Sequence, residues 1–222
     1  MEKERHVLVV FPHPDDEAFG VSGTIASHVN MDTPVTYACL TLGQMGRNMG
    51  NPPFANRETL PLIREQELKE AARVLGISDL RMLGFRDKTI EFEDEDKLTN
   101  LISSLITELN PSLVISFYPG YSVHPDHEAT GAAVVRAVEK MPQADRPKLQ
   151  LVAFSKNCVE ELGQPDIINN ISALSDVKLE AIKAHRSQTE LMLEGLADKL
   201  KENDQQTILW LNNERFWTYK FS

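Results

Sequence analysis

Residues 6–12, HVLVVFP, are apolar without the in–out alternation of a half-solvated strand. A short β-branched run of this kind suits a strand covered on both faces, and such strands belong to parallel sheets packed between helices. Comparable runs recur at Pro34–Leu42, Leu80–Phe85, Leu113–Tyr118 and Leu149–Phe154. Stretches with helical apolar spacing separate them. One begins near Ser22, and a second covers Asn56–Leu75, with its regular part starting at Pro61 and Gly76 as its stop. A third covers Leu98–Leu109, closed by Asn110-Pro111, and a fourth runs to about Met141. Ile167–Ile171 reads as an edge strand, and Leu174–Arg186 and Leu191–Lys201 as helices. Trp210 and Trp217 are expected to pack the C-terminal stretch or a subunit contact. Strands alternating with helices predict right-handed crossovers and an α/β fold: a three-layer α/β/α sandwich with a mostly parallel sheet. The 222 residues fit one domain, 1–222, with no repeat or linker to divide it.

Lys plus Arg number 23 against 33 Asp plus Glu, a formal charge of -10. That field repels phosphate backbones and anionic lipid, so neither nucleic acid nor a membrane is expected as a partner. An anionic substrate would need a local cationic pocket. No apolar run approaches the roughly 18 residues of a spanning helix, and the start MEKERHVLVVFPH does not read as a signal peptide. Two cysteines outside any C-x-x-C pair cannot scaffold the chain, so a reducing cytoplasm is expected. Cys39 and Cys158 read as small buried hydrophobes, His28 and His185 as surface or satisfied interior residues, and Glu91–Asp96 as a solvated acidic face.

Directly after the first strand stands His13-Pro14-Asp15-Asp16-Glu17, and shortly after the fourth stands His124-Pro125-Asp126-His127-Glu128. If both strands are parallel, both clusters emerge on the rim where such sheets bind ligands. The plainer alternative is local: an aspartate can cap a helix, and His124-Pro125 can be a turn with proline at the first helical position. Two such clusters on matching strand ends favour chemistry. His13, Asp16 and His127 can supply three ligands to one zinc-type ion and leave a position open for water. Asp15 is then free to act as general base, because a metal brings the pKa of its water from about 15.7 to about 7. His124, if protonated, can steady an oxyanion and protonate a leaving amine, with Asp126 orienting it and keeping its pKa high. These roles suit amide hydrolysis. Arg47 and Asn48, in the loop after the second strand, border the expected crevice, where substrate selection usually resides; mobile solvated residues are the alternative.

P-H-P-D-D-E after the first strand with H-P-D-H after a later one resembles the LmbE-like family of zinc-dependent N-acetylglucosamine deacetylases. The likeness spans nearly the whole chain and includes the loop Gly43–Pro53 and the segment Ala184–Gln188; length and the TLGQMGRNMGNPP loop look closest to the bacillithiol-biosynthesis deacetylases. The resemblance implies a Rossmann-like fold and one Zn²⁺ per chain, with Fe²⁺ or Co²⁺ able to use the same ligands. It implies a small glucosaminide substrate, N-acetylglucosaminyl malate first, and a homo-oligomer. Position by position it gives His13, Asp16 and His127 as ligands, Asp15 as base, His124 at the tetrahedral intermediate and Asp126 as its tuning acid. It also sets Arg64 by the active site, where it can meet an acidic aglycone or the sugar, although Arg64 could instead pair with Glu67 on a solvated helix face. Gln188 falls near the sugar, or at a surface helix end. Where some relatives carry an arginine before H-P-D-H, this chain has Val123; where others carry a tyrosine two residues before the first histidine it has Ser122, with Tyr118 or Tyr121 as substitutes. Competing functions are an amidase of bacillithiol S-conjugates, a metal-binding sugar receptor without turnover, and a two-metal phosphoesterase.

Overall fold

The computed structural model describes residues 1–221. Five strands form the central sheet: β1 (Val7–Phe11), β2 (Val35–Thr41), β3 (Asp79–Phe85), β4 (Leu113–Phe117) and β5 (Lys148–Val152). The helices are α1 (Asp16–Gly20), α2 (Ser22–Asn30), α3 (Leu60–Leu75), α4 (Glu95–Leu109), α5 (Pro125–Glu139), α6 (Cys158–Leu162), α7 (Ser175–Ala184), α8 (Arg186–Lys201) and α9 (Gln205–Asn212). Strands β6 (Ile167–Asn170) and β7 (Asn213–Phe216) pair with each other.

The sheet order is β3-β2-β1-β4-β5, parallel throughout. Alternate residues of β1 go to opposite cores. Val7, Val9 and Phe11 pack with Ile25 of α2, Leu68 and Ala72 of α3 and Ile182 of α7. Leu8 and Val10 pack with Ile102 and Ile106 of α4 and Val134 and Val138 of α5. All five residues of β1 are buried, as a strand inside a three-layer sandwich must be. The order reverses between β1 and β4, and a crevice opens beyond the carboxyl ends of strands at such a switch point. The two His-Pro-Asp clusters come directly after those two strands.

One expectation needs correction. Ile167–Ile171 does not edge the main sheet; β6 pairs antiparallel with β7, a strand the aromatic C-terminal stretch did not suggest. The acidic run is exposed at Glu91, Asp94, Glu95 and Asp96, as a solvated face, and it starts α4: the Asp94 carboxylate accepts the Lys97 N–H at 2.8 Å, and Glu95 and Asp96 occupy the first turn, where the helix dipole favours them. The helix expected from near Ser22 is α2, and a separate short helix, Asp16–Gly20, precedes it with Val21 between them.

Candidate metal centre and active site

After β1 the chain turns sharply. Asp15 has φ 104°, an unusual conformation for a residue with a side chain, and its carboxylate caps nothing. The capping alternative therefore fails for Asp15. The turn aims His13 and Asp16 across the switch point at His127, in the first turn of α5. His13 Nδ1 lies 3.1 Å from His127 Nε2. The two oxygens of Asp16 lie 3.5 Å from His13 Nδ1 and 3.3 Å from His127 Nε2. Ligand atoms about 2.0–2.1 Å from a tetrahedral ion stand about 3.3–3.4 Å apart, so these donors fit one small dication.

The groups behind the donors fix their tautomers. His127 Nδ1 meets the Ser122 carbonyl oxygen at 3.2 Å, so a proton there leaves Nε2 free to ligate. His13 Nε2 faces Asp126 and Asp87, each at 3.2 Å, which leaves Nδ1 as the nitrogen free to ligate an ion. Phe117, the last residue of β4, stacks on His127 at 4.1 Å between ring centroids. Gly131 lets α5 approach that strand end, since a Cβ there would sit 2.4 Å from the Phe117 carbonyl oxygen.

Burial disfavours charge on His13, but Asp126, Asp16 and Asp87 outweigh it and raise its pKa well above the usual imidazole range. For Asp16 burial opposes ionisation, and His127 and His13 overcome it, so the carboxylate is held below its ordinary range. Asp15 differs from its neighbour. Burial pushes it up to about 6, against the Arg64 guanidinium.

Asp126 does not hold His124 through its carboxylate, contrary to expectation. That carboxylate is fully buried and accepts the Lys88 and Ile90 N–H groups at 2.7 and 3.1 Å, besides facing His13. The link runs through the backbone instead: Asp126 N–H donates to His124 Nδ1 at 3.2 Å. His124 thus caps α5, with Pro125 at the first helical position, so the plainer alternative holds for its Nδ1. Burial, His13 and His127 all lower its pKa. The neutral tautomer with Nδ1 accepting presents Nε2–H as a donor.

Arg64 does not pair with Glu67 on a solvated face, and its bonds go to Asp15 and two backbone carbonyls rather than being left open for a substrate. It is 3% exposed and donates to Asp15 at 2.9 Å, to the Gly43 carbonyl at 2.9 Å and to the Pro14 carbonyl. Gly43 is required there: its φ is +60°, and a Cβ would lie 1.9 Å from the guanidinium. Glu67, the other candidate partner, accepts from Ser187 N–H and Oγ. Four further residues complete the site without having been expected: Glu17, Tyr37, Asp87 and His185. Glu17 accepts from the Asp15 N–H and Tyr37 hydroxyl at 3.1 Å each, and lies 2.5 Å from His185 Nε2. His185 is a buried interior residue with this one partner; its Nδ1 has none among the described residues. Asp87 lies just past β3 on the same rim, so applying the strand-end rule to the third strand would have found it.

A cleft of about 620 Å³ gathers His13, Asp15, Asp16, His124 and His127, with Arg47, Arg64, Lys88, Val123 and Gln188 on its walls. Tyr118 and Tyr121 do not line it; the Tyr121 hydroxyl donates to Glu161. The family described as PIG-L: GlcNAc-PI de-N-acetylase matches residues 8–138, a span that contains both clusters. The chain belongs to that family. A Bacillus cereus PIG-L relative named "Probable N-acetyl-alpha-D-glucosaminyl L-malate deacetylase 2" is 59% identical, covering 98% of this chain and 99% of its own. The Bacillus subtilis protein of the same name is 51% identical over 99% of each. Among solved structures, the N,N'-diacetylchitobiose deacetylase of Pyrococcus horikoshii matches with TM-score 0.75 and 27% identity, covering 97% of this chain and 84% of that one.

Two remaining expectations concern the family's substrate side. Gln188 reaches the cleft, but its amide donates to the Asn48 carbonyl at 2.9 Å and Ser187 Oγ at 3.0 Å. Asn48 returns a bond to the Gln188 carbonyl at 2.9 Å, so this pair latches the loop after β2 onto α8. Arg47 lines the cleft and is exposed, without an ion pair among the described residues.

Proposed function

We propose that this protein is a metal-dependent N-deacetylase that releases acetate from N-acetyl-α-D-glucosaminyl L-malate. The observation that carries the chemistry is the trio of donors from His13, Asp16 and His127, 3.1–3.5 Å apart, with a non-capping carboxylate next in sequence. The substrate rests on relatives of that name that align over nearly the whole chain. Zinc is the ion placed here, and Fe²⁺ or Co²⁺ suits the same donors. When bound, such an ion polarises an amide carbonyl and acidifies water.

Asp15 takes a proton from the attacking water. A carboxylate pushed up to about 6 is matched to that task near neutral pH, where it is ionised yet basic enough to accept. Arg64 fixes its orientation through one oxygen. His124 Nε2–H donates to the oxygen that becomes negative in the tetrahedral intermediate. The proton held by Asp15 then passes to the leaving amine, and glucosaminyl malate and acetate separate. Asp126 acts one step back, orienting His13. The two free cysteines are buried and go with a cytoplasmic setting; a homo-oligomer remains part of the proposal.

One observation favours a second reading, hydrolysis of bacillithiol S-conjugates. A cavity of about 630 Å³ meets the site at Asp16 and His127 and is walled by Phe19, Phe117, Phe154, Trp210 and Trp217, which suits an apolar S-substituent. Acetate release from the malate compound by zinc-loaded protein, run beside a bacillithiol S-conjugate and plain N-acetylglucosamine, separates these readings. Fast turnover of the malate compound is the expected result. Turnover of the conjugate alone would replace the biosynthetic assignment with the amidase.

A further inference from the structure

We propose that Lys88 and Arg47 form the subsite for the carboxylates of an acidic aglycone, with Lys88 as its fixed half. The inference rests on the reading that the substrate is a glucosaminide carrying such an aglycone. In a chain of net charge -10, the cleft presents three cations: Arg47, Arg64 and Lys88. Arg64 is committed to Asp15 and two carbonyls. Val123, 67% exposed on the same wall, brings no charge. That leaves Arg47 and Lys88, neither of which forms an ion pair among the described residues.

Lys88 is held by its backbone. Its φ is +63°, a conformation that costs energy for a residue with a Cβ. What holds it there is the shell behind His13: the Lys88 N–H donates to Asp126 at 2.7 Å, and the Ile90 N–H donates to the other oxygen at 3.1 Å. The preceding Asp87 accepts the Met45 N–H at 2.7 Å and donates its own N–H to Gln44 at 3.1 Å. The loops after β2 and β3, neighbouring strands, are therefore joined at Asp87. One carries Arg47 two residues beyond the junction, and the other carries Lys88 one residue beyond it. Strained backbone held against its preference by a functional centre is a place to look for function. Here the same carboxylate that orients His13 sets the backbone from which the Lys88 side chain borders the cleft.

The two cations divide the work by their chemistry. A guanidinium can grip one carboxylate with two parallel bonds, while an ammonium acts as a compact point charge on a flexible stem. A dicarboxylate can engage both at once. Glu91 also lines the cleft and bounds the subsite with a like charge that an anion must avoid.

The test compares kcat/KM for N-acetylglucosaminyl malate with that for methyl N-acetylglucosaminide, in the zinc-loaded wild type, Lys88→Met, Arg47→Met and the double variant. The selectivity ratio is expected to fall about tenfold in each single variant and further in the double, through KM rather than kcat, with Lys88→Arg restoring most of it. An equal loss on both glucosaminides would mean a merely structural role and overturn the inference, as would an unchanged ratio in the double variant. Calorimetric binding of the product, glucosaminyl malate, separates this subsite from the activity beneath it. Product binding that is lost in the double variant supports the subsite even if the wild type releases no acetate. Acetate release by variants that bind product as tightly as the wild type keeps the activity and refutes the subsite.

Discussion

The two clusters share the order His-Pro-Asp, then a second ionisable residue and glutamate, yet they do different work. In the first, His13 and Asp16 face the metal position, Asp15 stands free of any cap, and Glu17 supports the turn from behind. In the second, His124 and His127 each bring a ring nitrogen within 4.8 Å of His13, and the proposal takes His127 as the ligand. His124 caps α5, Asp126 fixes the turn at 87–90, and Glu128 accepts the Gly120 and Ser122 N–H groups. The difference comes from the helix that each cluster enters. A left-handed Asp15 and a five-residue helix leave several side chains of the first segment free to converge. A 15-residue helix started by Pro125 binds the second segment to capping. Similar motifs on similar strand ends therefore divide into a segment that supplies donors and one that organises backbone.

Changes that separate those roles are ordered by size. Asp16→Ala removes a donor itself, and zinc should no longer co-purify at one equivalent, as read by metal analysis. Asp126→Asn keeps all three donors and weakens both the orientation of His13 and the turn at 87–90, because an amide accepts at only one of its two ends. Zinc affinity should then drop about 10- to 100-fold in a chelator competition, and a drop as large as that of Asp16→Ala would erase the distinction between the clusters. Arg64→Met should lower kcat about tenfold or more while metal content holds, because a misaligned base costs rate rather than binding. Glu128→Ala should cost about 1 kcal/mol of stability, seen in denaturant unfolding, with kcat changed little by comparison.

The pH profile tests the first cluster alone. Asp15 must be ionised to act, so kcat/KM should rise with pH and level off once Asp15 has lost its proton. A nearby dication favours the carboxylate, so the midpoint should fall at or below about 6. A midpoint well above 6 would assign the limb to another group.

Much of the fold and site was legible in the sequence because it depends on local signals. Continuous apolar runs marked the five strands, and the switch-point rule converted two strand ends into one site. What was not legible depends on distance in the chain. Glu17 and His185 meet across 168 residues, and no local spacing announces that pair. Arg64 had Glu67 as its one local acid; Asp15, 49 residues away in the chain, becomes its partner only in the fold, where the guanidinium also meets the Gly43 carbonyl. Strand β7 gave no periodic signal. Glu214, buried within it, accepts the Gly23 and Thr24 N–H groups at the start of α2 and pairs with buried Lys178, contacts that only the folded chain assembles. His28, expected at the surface or satisfied inside, is buried with neither ring nitrogen partnered among the described residues, and the fold offers no reason for it.

The most direct measurement pairs metal content with turnover in Asp15→Asn. If Asp15 is a base beside an intact ligand set, the variant keeps one equivalent of zinc while acetate release falls by about 10²–10⁴. Turnover near the wild-type rate, with zinc retained, would contradict that role and point to a site that binds without needing this carboxylate.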